Sequence, residues 1–245
     1  VKNMFRKIII IILATCCLVI PLQAVQHSPP WADNYDFNYT PPIVLPNYTL
    51  DTRYSANDAA NKQDLMGYDG HANTDCSAGQ AFNALPDDAM FSFHGHGDNY
   101  RLLFVNQTAQ SEFHISDYGY RVPGRYYLSD FNNGELNDVL FMLFDSCHSA
   151  EINNTYGNWL TMSRSKGVDN PMGFQEDISN NKSIYWNNKF WYYCNQYNVY
   201  ISGAATLATR ESLLYCPPIG QYGGVDSWAL NGSWLTELKP ARYGT

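Results

Sequence analysis

The sequence predicts an α/β domain with a mostly parallel central sheet, and two apolar runs carry this prediction. Ala89–Phe93 leads into His94-Gly95-His96-Gly97-Asp98, and Val139–Leu143 leads into Phe144-Asp145-Ser146-Cys147-His148-Ser149. Apolar runs that stop at a small polar cluster are typical of strands buried on both faces of a parallel sheet. Because sites in open α/β sheets form beyond the carboxyl ends of the strands, we expect an imidazole and a thiol to meet there.

The segments around these two strands alternate between helical and extended patterns. Apolar spacing near 3.6 residues predicts helices over Asp75–Leu85, Ser183–Tyr197 and Gly203–Leu214. Shorter elements are expected as follows: a helical turn within Leu128–Leu136, a helix around Trp159, a strand at Met172–Phe174 and a strand within Val225–Leu238. The polar and aromatic stretch Asp98–Asp130 predicts a hairpin or long loops beside the site.

Residues 1–24 have the three parts of a signal peptide. Arg6 and Lys7 precede the apolar run Ile8–Ile20, and a small residue, Ala24, follows it. The run is shorter than the roughly 20 residues of a spanning helix, so cleavage and secretion, or display at the cell surface, are expected. An uncleaved anchor is the alternative, and it is the only way in which we expect the protein to contact a membrane.

The rest of the chain is expected to form one domain. Residues 25–51 are rich in Pro, Tyr and Asn, with Ile43-Val44-Leu45 as the one candidate strand, and we interpret them as an N-terminal extension. Residues 52–245 are expected to be the catalytic domain, which is long enough to bury a substantial core.

Composition excludes one class of partner. The formal net charge is −8, and loss of Lys2, Arg6 and Lys7 with the signal peptide takes it to about −11. Nucleic-acid binding depends on Lys and Arg neutralising phosphates, so a nucleic-acid partner is not expected.

Export permits glycosylation and disulfides. Six Asn-x-Ser/Thr sites make the protein a candidate glycoprotein, at Asn38, Asn47, Asn106, Asn153, Asn181 and Asn231. Four cysteines remain after residue 24, and Cys194–Cys216 is the preferred disulfide because a catalytic Cys147 must stay free.

A thiol beside an imidazole has a specific use. The thiolate is the nucleophile, and an imidazole within hydrogen-bond reach can take its proton and return it to a leaving amine. His and Cys each ending a buried strand therefore indicate a Cys–His hydrolase that works through an acyl-enzyme, with no cofactor.

These two motifs resemble those of the caspase-like (clan CD) cysteine peptidases, and most closely the metacaspase branch. Phe93-His94-Gly95-His96-Gly97 is similar to an apolar strand followed by Ser-Gly-His-Gly, and Asp145-Ser146-Cys147-His148-Ser149 to Asp-x-Cys-His-Ser. His94 stands where the family has a small residue. The resemblance implies a three-layer sandwich with a mostly parallel central sheet flanked by helices.

The resemblance also implies a role for each site residue. His96 would be the catalytic base, Cys147 the nucleophile, and the amides of Gly97 and Cys147 the oxyanion hole. Asp145 would bind the substrate by lining a pocket for Arg or Lys, which implies cleavage after basic residues. The rival interpretation of Asp145 is a cap on the following turn.

Two other functions stay open at this stage. His94-x-His96-x-Asp98 has the spacing of two zinc ligands on one strand face, with further ligands needed from His71, His114 or His148. A caspase-like domain without activity would instead be a secreted binding module. A site for activating calcium is not indicated, since no Asp/Glu cluster specifies one.

Overall fold

A six-stranded sheet organises the computed structural model, which describes residues 26–37, 50–105, 110–215 and 224–245. The spatial order is β2-β1-β3-β7-β8-β9, with all neighbours parallel except β8 and β9. Its strands are β1 (Trp31–Tyr35), β2 (Asp69–Asn73), β3 (Met90–His94), β7 (Phe141–Asp145), β8 (Asn170–Phe174) and β9 (Trp228–Leu230). A smaller sheet contains β4 (Arg101–Val105), β5 (Gln110–His114) and β6 (Arg125–Tyr127).

Two helical layers cover this sheet. The helices are α1 (Arg53–Met66), α2 (Ala78–Ala84), α3 (Trp159–Lys166), α4 (Asn180–Cys194) and α5 (Ile201–Tyr215). Helices α1, α4 and α5 share a hydrophobic cluster with Met90 and Phe141 on one face. Helices α2 and α3 pack with the smaller sheet against Phe91 and Phe144 on the other. This three-layer arrangement confirms the predicted fold class.

Local sequence signals explain where several helices begin and end. Ser77 and Gln80 form a reciprocal capping box at the start of α2. Asn158 accepts a hydrogen bond from the Thr161 amide at the start of α3. Helix α3 ends at Gly167, whose φ of 119° is a backbone conformation that favours glycine.

The expectation that Ile43–Leu45 is the one strand within residues 25–51 is wrong, because the part of this extension that the structure describes contains another strand. Trp31–Tyr35 is an inner strand between β2 and β3. Its polar residues have partners inside the fold: Asp33 accepts from the Tyr35 hydroxyl, and Asn34 exchanges hydrogen bonds with Gln63. The candidate strand Ile43–Leu45 lies outside the described residues.

Most of the other predicted elements are confirmed, with two corrections. The predicted turn of helix within Leu128–Leu136 is a 3-10 turn over Leu128–Asp130 only, and the strand within Val225–Leu238 is limited to three residues, Trp228–Leu230. Asp98–Asp130 contains the β4–β5 hairpin. Helix α1 and strand β2 complete the architecture.

The preferred disulfide does not form, since Cys194 is a free thiol with about 1% of its surface exposed. Its position among the buried residues of the α4–α5 layer explains this, and Cys216 lies outside the described residues. The predicted signal peptide also lies outside them. Within the described ranges, no helix is sufficiently long and apolar to span a bilayer.

Asp88, just before β3, carries a fully buried carboxyl group with neither oxygen hydrogen-bonded to any described residue. Burial raises its pKa well above the ordinary value, and Asp33 and Asp87 add to this. The free energy of unfolding is therefore highest below the unfolded-state pKa of this carboxyl, which is about 4. Above that pH it falls by about 1.4 kcal/mol per pH unit, until the carboxyl ionises in the folded state as well.

We therefore expect Asp88→Asn to raise the free energy of unfolding at pH 7 by at least about 1 kcal/mol. The gain should be much smaller at pH 4, where the carboxyl is protonated in the folded state and about half protonated in the unfolded state. Urea unfolding at the two pH values measures both quantities. An equal effect at pH 4 and pH 7 would show that the carboxyl does not titrate as its burial requires.

Candidate active site

The two motifs lie side by side at the carboxyl edge of the sheet. Strands β3 and β7 are parallel neighbours, and their last paired residues are His94 and Asp145. The Gly95 amide donates to the Asp145 carbonyl, which extends this pairing by one step. His96 and Cys147 each follow two residues after the last pair, so register places both on adjacent loops at the same height.

Gly97 brings the two loops into direct contact. A Cβ on Gly97 would lie 2.7 Å from the Ser146 hydroxyl oxygen and 2.9 Å from a methyl carbon of Leu102. These separations are shorter than carbon and oxygen atoms tolerate, so only glycine fits between the histidine loop and the cysteine loop. The close approach of the loops at this point therefore depends on the missing side chain.

Phe37 and Thr52 position the histidine loop from the β1 side. The Thr52 hydroxyl donates to the His94 carbonyl at 2.6 Å and accepts from the Phe37 amide at 2.7 Å. The Phe37 ring meets the His96 imidazole edge to face, with centroids 4.8 Å apart. A Cβ on Gly95 would lie 2.5 Å from the Phe37 Cβ, so this position also requires glycine.

The Cys147 thiol is half-buried against the segment that precedes α4. Its Sγ lies 3.4 Å from the Ile178 amide nitrogen, which donates to it, and 3.7 Å from the Ile178 carbonyl oxygen. Burial raises the pKa of the Cys147 thiol above its ordinary value. The Ile178 amide opposes this, while the negative charges of Asp177 and Asp145 add to it.

The His96 imidazole is also half-buried, and burial lowers its pKa. A raised thiol pKa and a lowered imidazole pKa both favour uncharged groups at neutral pH. The thiol and the imidazole are therefore both uncharged at rest, which suits a general base that removes a thiol proton as the nucleophile attacks.

Two backbone amides at the site are available for a ligand. Within the described ranges, neither the Gly97 amide nor the Cys147 amide donates a backbone hydrogen bond. Amides that lie in facing loops beside a nucleophile are suited to stabilise a developing oxyanion. The assignment of the two amides to an oxyanion hole stays a prediction.

Asp145 is buried beneath the site, with about 1% of its side chain exposed. One carboxylate oxygen lies 3.0 Å from His94 Nδ1, and the other accepts from the Ser183 hydroxyl at 2.7 Å. Both oxygens are thus occupied by groups of the protein itself. The assignment of Asp145 to a substrate pocket stays a prediction.

Asp36 is an acidic residue at this edge that the sequence analysis missed. It directly follows Tyr35, which pairs with Phe93, so Asp36 lies beside His94 at the end of the neighbouring strand. One oxygen accepts from the Asp75 amide, and the other has no hydrogen-bond partner among the described residues. Burial raises the pKa of Asp36 to about 6. In the sequence, Asp36 is marked only by its position directly after β1, and β1 is difficult to recognise because it contains polar residues.

His94, His96 and Asp98 do not form the predicted metal cluster. Strand β3 ends at His94, so His96 lies in the loop and the alternation that would align the two imidazoles is lost. Asp98 instead forms an ion pair with Arg101, with 3.1 Å between Nε and the nearest oxygen. The described part of the chain contains no group of three or more His, Cys, Asp or Glu residues arranged to hold a metal ion.

His148 points away from the nucleophile that precedes it. Its backbone has a φ of 55°, and its ring lies between two carboxylates, 2.9 Å from Glu151 and 3.0 Å from Asp177. The segment that contains Asp177 and Ile178 thus touches both Cys147 and His148. This segment, too, was not identified from the sequence.

Comparisons by sequence find no match, either to a protein-family model or to a curated protein. Comparisons by structure do find matches. The three matched proteins described below are all much longer than this chain. The chain has the caspase-like fold, with the mostly parallel central sheet and flanking helices of these neighbours.

Three solved structures illustrate the likeness. The Arg-specific cysteine proteinase gingipain R matches with a TM-score of 0.59 at 10% identity, over 84% of this chain and 46% of that one. Separase in the Saccharomyces cerevisiae separase–securin complex matches with a TM-score of 0.52 at 12% identity, over 87% and 12%. A structure described as a protease matches with a TM-score of 0.52 at 9% identity, over 86% and 49%. This chain therefore spans less than half the length of each.

Proposed function

We propose that the protein is an exported cysteine endopeptidase that uses a His96–Cys147 dyad. The observation that carries this proposal is the β3–β7 register, which puts the imidazole and the thiol on touching loops at the carboxyl edge of a caspase-like sheet. Export rests on the signal-peptide pattern of residues 1–24. The substrates would be proteins or peptides, as the protease neighbours suggest.

The mechanism follows from the resting geometry. As Cys147 attacks the scissile carbonyl, His96 takes the thiol proton, and the Gly97 and Cys147 amides stabilise the oxyanion. His96 then gives the proton to the leaving amine, which leaves an acyl group on the sulfur. Water, deprotonated by the same imidazole, releases the acyl group and regenerates the thiol.

Cleavage after basic residues is the finer part of the proposal, and it rests on two acids. Asp145 is the acid named by the metacaspase-like motif, while Asp36 directly follows β1, on the other side of β3, and has an oxygen that no described residue satisfies. A carboxyl whose pKa is raised to about 6 lowers the stability of the fold by about 3 kcal/mol at neutral pH. A cationic substrate side chain would compensate such a carboxylate. Gingipain R, an Arg-specific enzyme of this fold, is consistent with such a pocket.

Labelling by peptidyl electrophiles tests the peptidase. The purified protein would be treated with matched probes that carry Arg, Lys, a neutral or an acidic residue next to the reactive group, and peptide mass spectrometry would locate the adduct. Rapid labelling at Cys147 by the basic probes supports the whole proposal. Labelling by neutral or acidic probes alone keeps the peptidase and removes the basic pocket. Failure of every probe, while Cys147 still alkylates after denaturation, favours the binding module.

Asp36→Asn separates the two acids. We expect it to reduce the preference for the Arg probe over the neutral probe by at least about tenfold, because an ion pair at a partly buried site is lost. We also expect it to raise stability at pH 7 by about 3 kcal/mol, since the loss of stability between pH 4 and pH 6 disappears with the carboxyl. Asp145→Asn is the comparison. If Asp145→Asn alone changes the preference, Asp36 is not the pocket acid.

A further inference from the structure

Five buried side chains and one half-buried side chain, Ser183, form a continuous hydrogen-bonded chain across the sheet, beneath the candidate dyad. The chain runs from helix α1 through β1, β3 and β7 to helix α4, and its members are Gln63, Asn34, Ser92, His94, Asp145 and Ser183. Its longest link is 3.1 Å, between Gln63 and Asn34. His94 is central to it and has about 1% of its side chain exposed. Nothing in the proposed mechanism uses this chain.

The direction of the hydrogen bonds is fixed at Asn34. Its Nδ2 donates to the backbone carbonyls of Ala32 and His71, both at 3.1 Å, and carbonyls only accept. The amide oxygen must therefore face Ser92. Since an amide oxygen also only accepts, the Ser92 hydroxyl donates its single hydrogen to Asn34.

That assignment determines the proton on one side of the His94 ring. Ser92 has no second hydrogen, so it accepts from His94, and Nε2 at 2.9 Å must carry a proton. Nδ1 lies 3.0 Å from an oxygen of Asp145, whose other oxygen accepts from Ser183. One proton is thus shared between Nδ1 and a carboxyl that already accepts a hydrogen bond. A carboxylate is the form that best accepts from both neighbours.

We infer that His94 is an imidazolium that neutralises Asp145 and is thereby a positioning residue for Cys147. Both groups are almost fully buried, and a lone buried charge is strongly unfavourable, whereas a hydrogen-bonded pair of opposite charges has no net charge. Strand β7 carries Asp145 two residues before the nucleophile. The imidazolium therefore removes an uncompensated negative charge from beneath the thiol.

The charged groups around the His94–Asp145 pair determine how His94 affects the pKa of the Cys147 thiol. Cys147 faces the carboxylates of Asp145 and Asp177, both of which raise the pKa of its thiol, and Asp177 is paired with His148. On the β1 side the pair faces Asp36. Without the imidazolium, Asp145 would add its full charge to that of Asp177. The inference about the proton is independent of the proposed function, while its catalytic consequence rests on it.

Imidazole ¹⁵N NMR of the intact protein tests the protonation state directly. We expect both nitrogens of His94 to be protonated at pH 7 in the wild type. In Asp145→Asn, which removes the carboxylate, we expect the ring to become neutral with its proton on Nε2. A wild-type Nδ1 without a proton would overturn the inference, as would an unchanged spectrum in Asp145→Asn.

Alkylation of Cys147 by iodoacetamide tests the effect on the nucleophile without requiring peptide cleavage. His94→Gln keeps a donor towards Asp145 but has no charge, so the midpoint of the pH–rate profile should rise by about one unit, which is about a tenfold slower reaction at neutral pH. His94→Gln/Asp145→Asn should return the midpoint to the wild-type value or below, and mass spectrometry separates Cys147 from the other thiols. A midpoint unchanged in a folded His94→Gln protein would overturn the positioning role. Failure of the peptidyl probes alone would count only against the peptidase.

Discussion

Replacing His96 by alanine is expected to reduce kcat/KM for peptide cleavage by at least about 10³-fold. In the proposed mechanism this imidazole takes the thiol proton and protonates the leaving amine, and general acid–base catalysis of this kind contributes roughly 10²–10⁴ in rate at each proton transfer. The measurement is the initial rate of hydrolysis of a fluorogenic peptide at several pH values.

The thiol itself provides the internal control for this variant. The resting imidazole is neutral, because burial lowers its pKa, so it does not hold Cys147 as a thiolate. Alkylation of Cys147 by iodoacetamide at neutral pH should therefore change by less than about threefold in His96→Ala. His71→Ala, which removes a half-exposed imidazole on β2, should leave cleavage within about twofold. Slow alkylation that accompanies slow cleavage would indicate a preformed thiolate–imidazolium pair instead.

The sequence was sufficient to predict the strands that carry the dyad. Met90–His94 and Phe141–Asp145 are buried on both faces, so most of their residues are apolar, and the change to small polar residues marks the edge of the sheet. The helices were predictable for a similar reason, because each has one face in a hydrophobic cluster.

Strand β1 could not be predicted because its stability comes from partners distant in the chain. Asn34 and Asp33 would be unfavourable in an inner strand without Gln63 on α1 and His71 on β2, which satisfy them at separations of 29 and 38 residues. A local pattern contains no information about such pairs. Missing the strand meant missing Asp36 as well, since its importance comes from its place at the end of β1.

The partner of Asp145 was unpredictable on the same grounds. His94 was recognised as an unusual residue at its position in the motif, but its interaction with an aspartate 51 residues later depends on the register between β3 and β7. The same register brings His96 and Cys147 together. Sequence motifs therefore identify which residues reach the edge of the sheet, and the pairing of strands decides which of them interact.

Gly97→Ala is the substitution that we expect to reduce catalysis most while the protein stays folded. A Cβ would lie 2.7 Å from the Ser146 oxygen and 3.0 Å from the Ser146 Cβ, and because Ser146 and Leu102 are both fully buried, we expect the histidine loop to move away from the cysteine loop. That movement displaces both the imidazole and the Gly97 amide, and the loss of one oxyanion donor alone is typically worth about 10²–10³ in rate. We expect kcat to fall by at least that factor, measured with the same fluorogenic peptide.

Gly203→Ala on helix α5 is the matched control because the same methyl group there would make only an ordinary van der Waals contact, 3.9 Å from a methyl carbon of Val199. It should leave kcat unchanged and stabilise the fold by about 0.5–1 kcal/mol, since alanine is the better helix former. The wild-type rate in Gly97→Ala would mean that the loops do not need their close contact during catalysis. A fall in kcat for Gly97→Ala, with unfolding still cooperative, would tie turnover to the contact between the loops, because the substitution alters neither His96 nor Cys147 chemically.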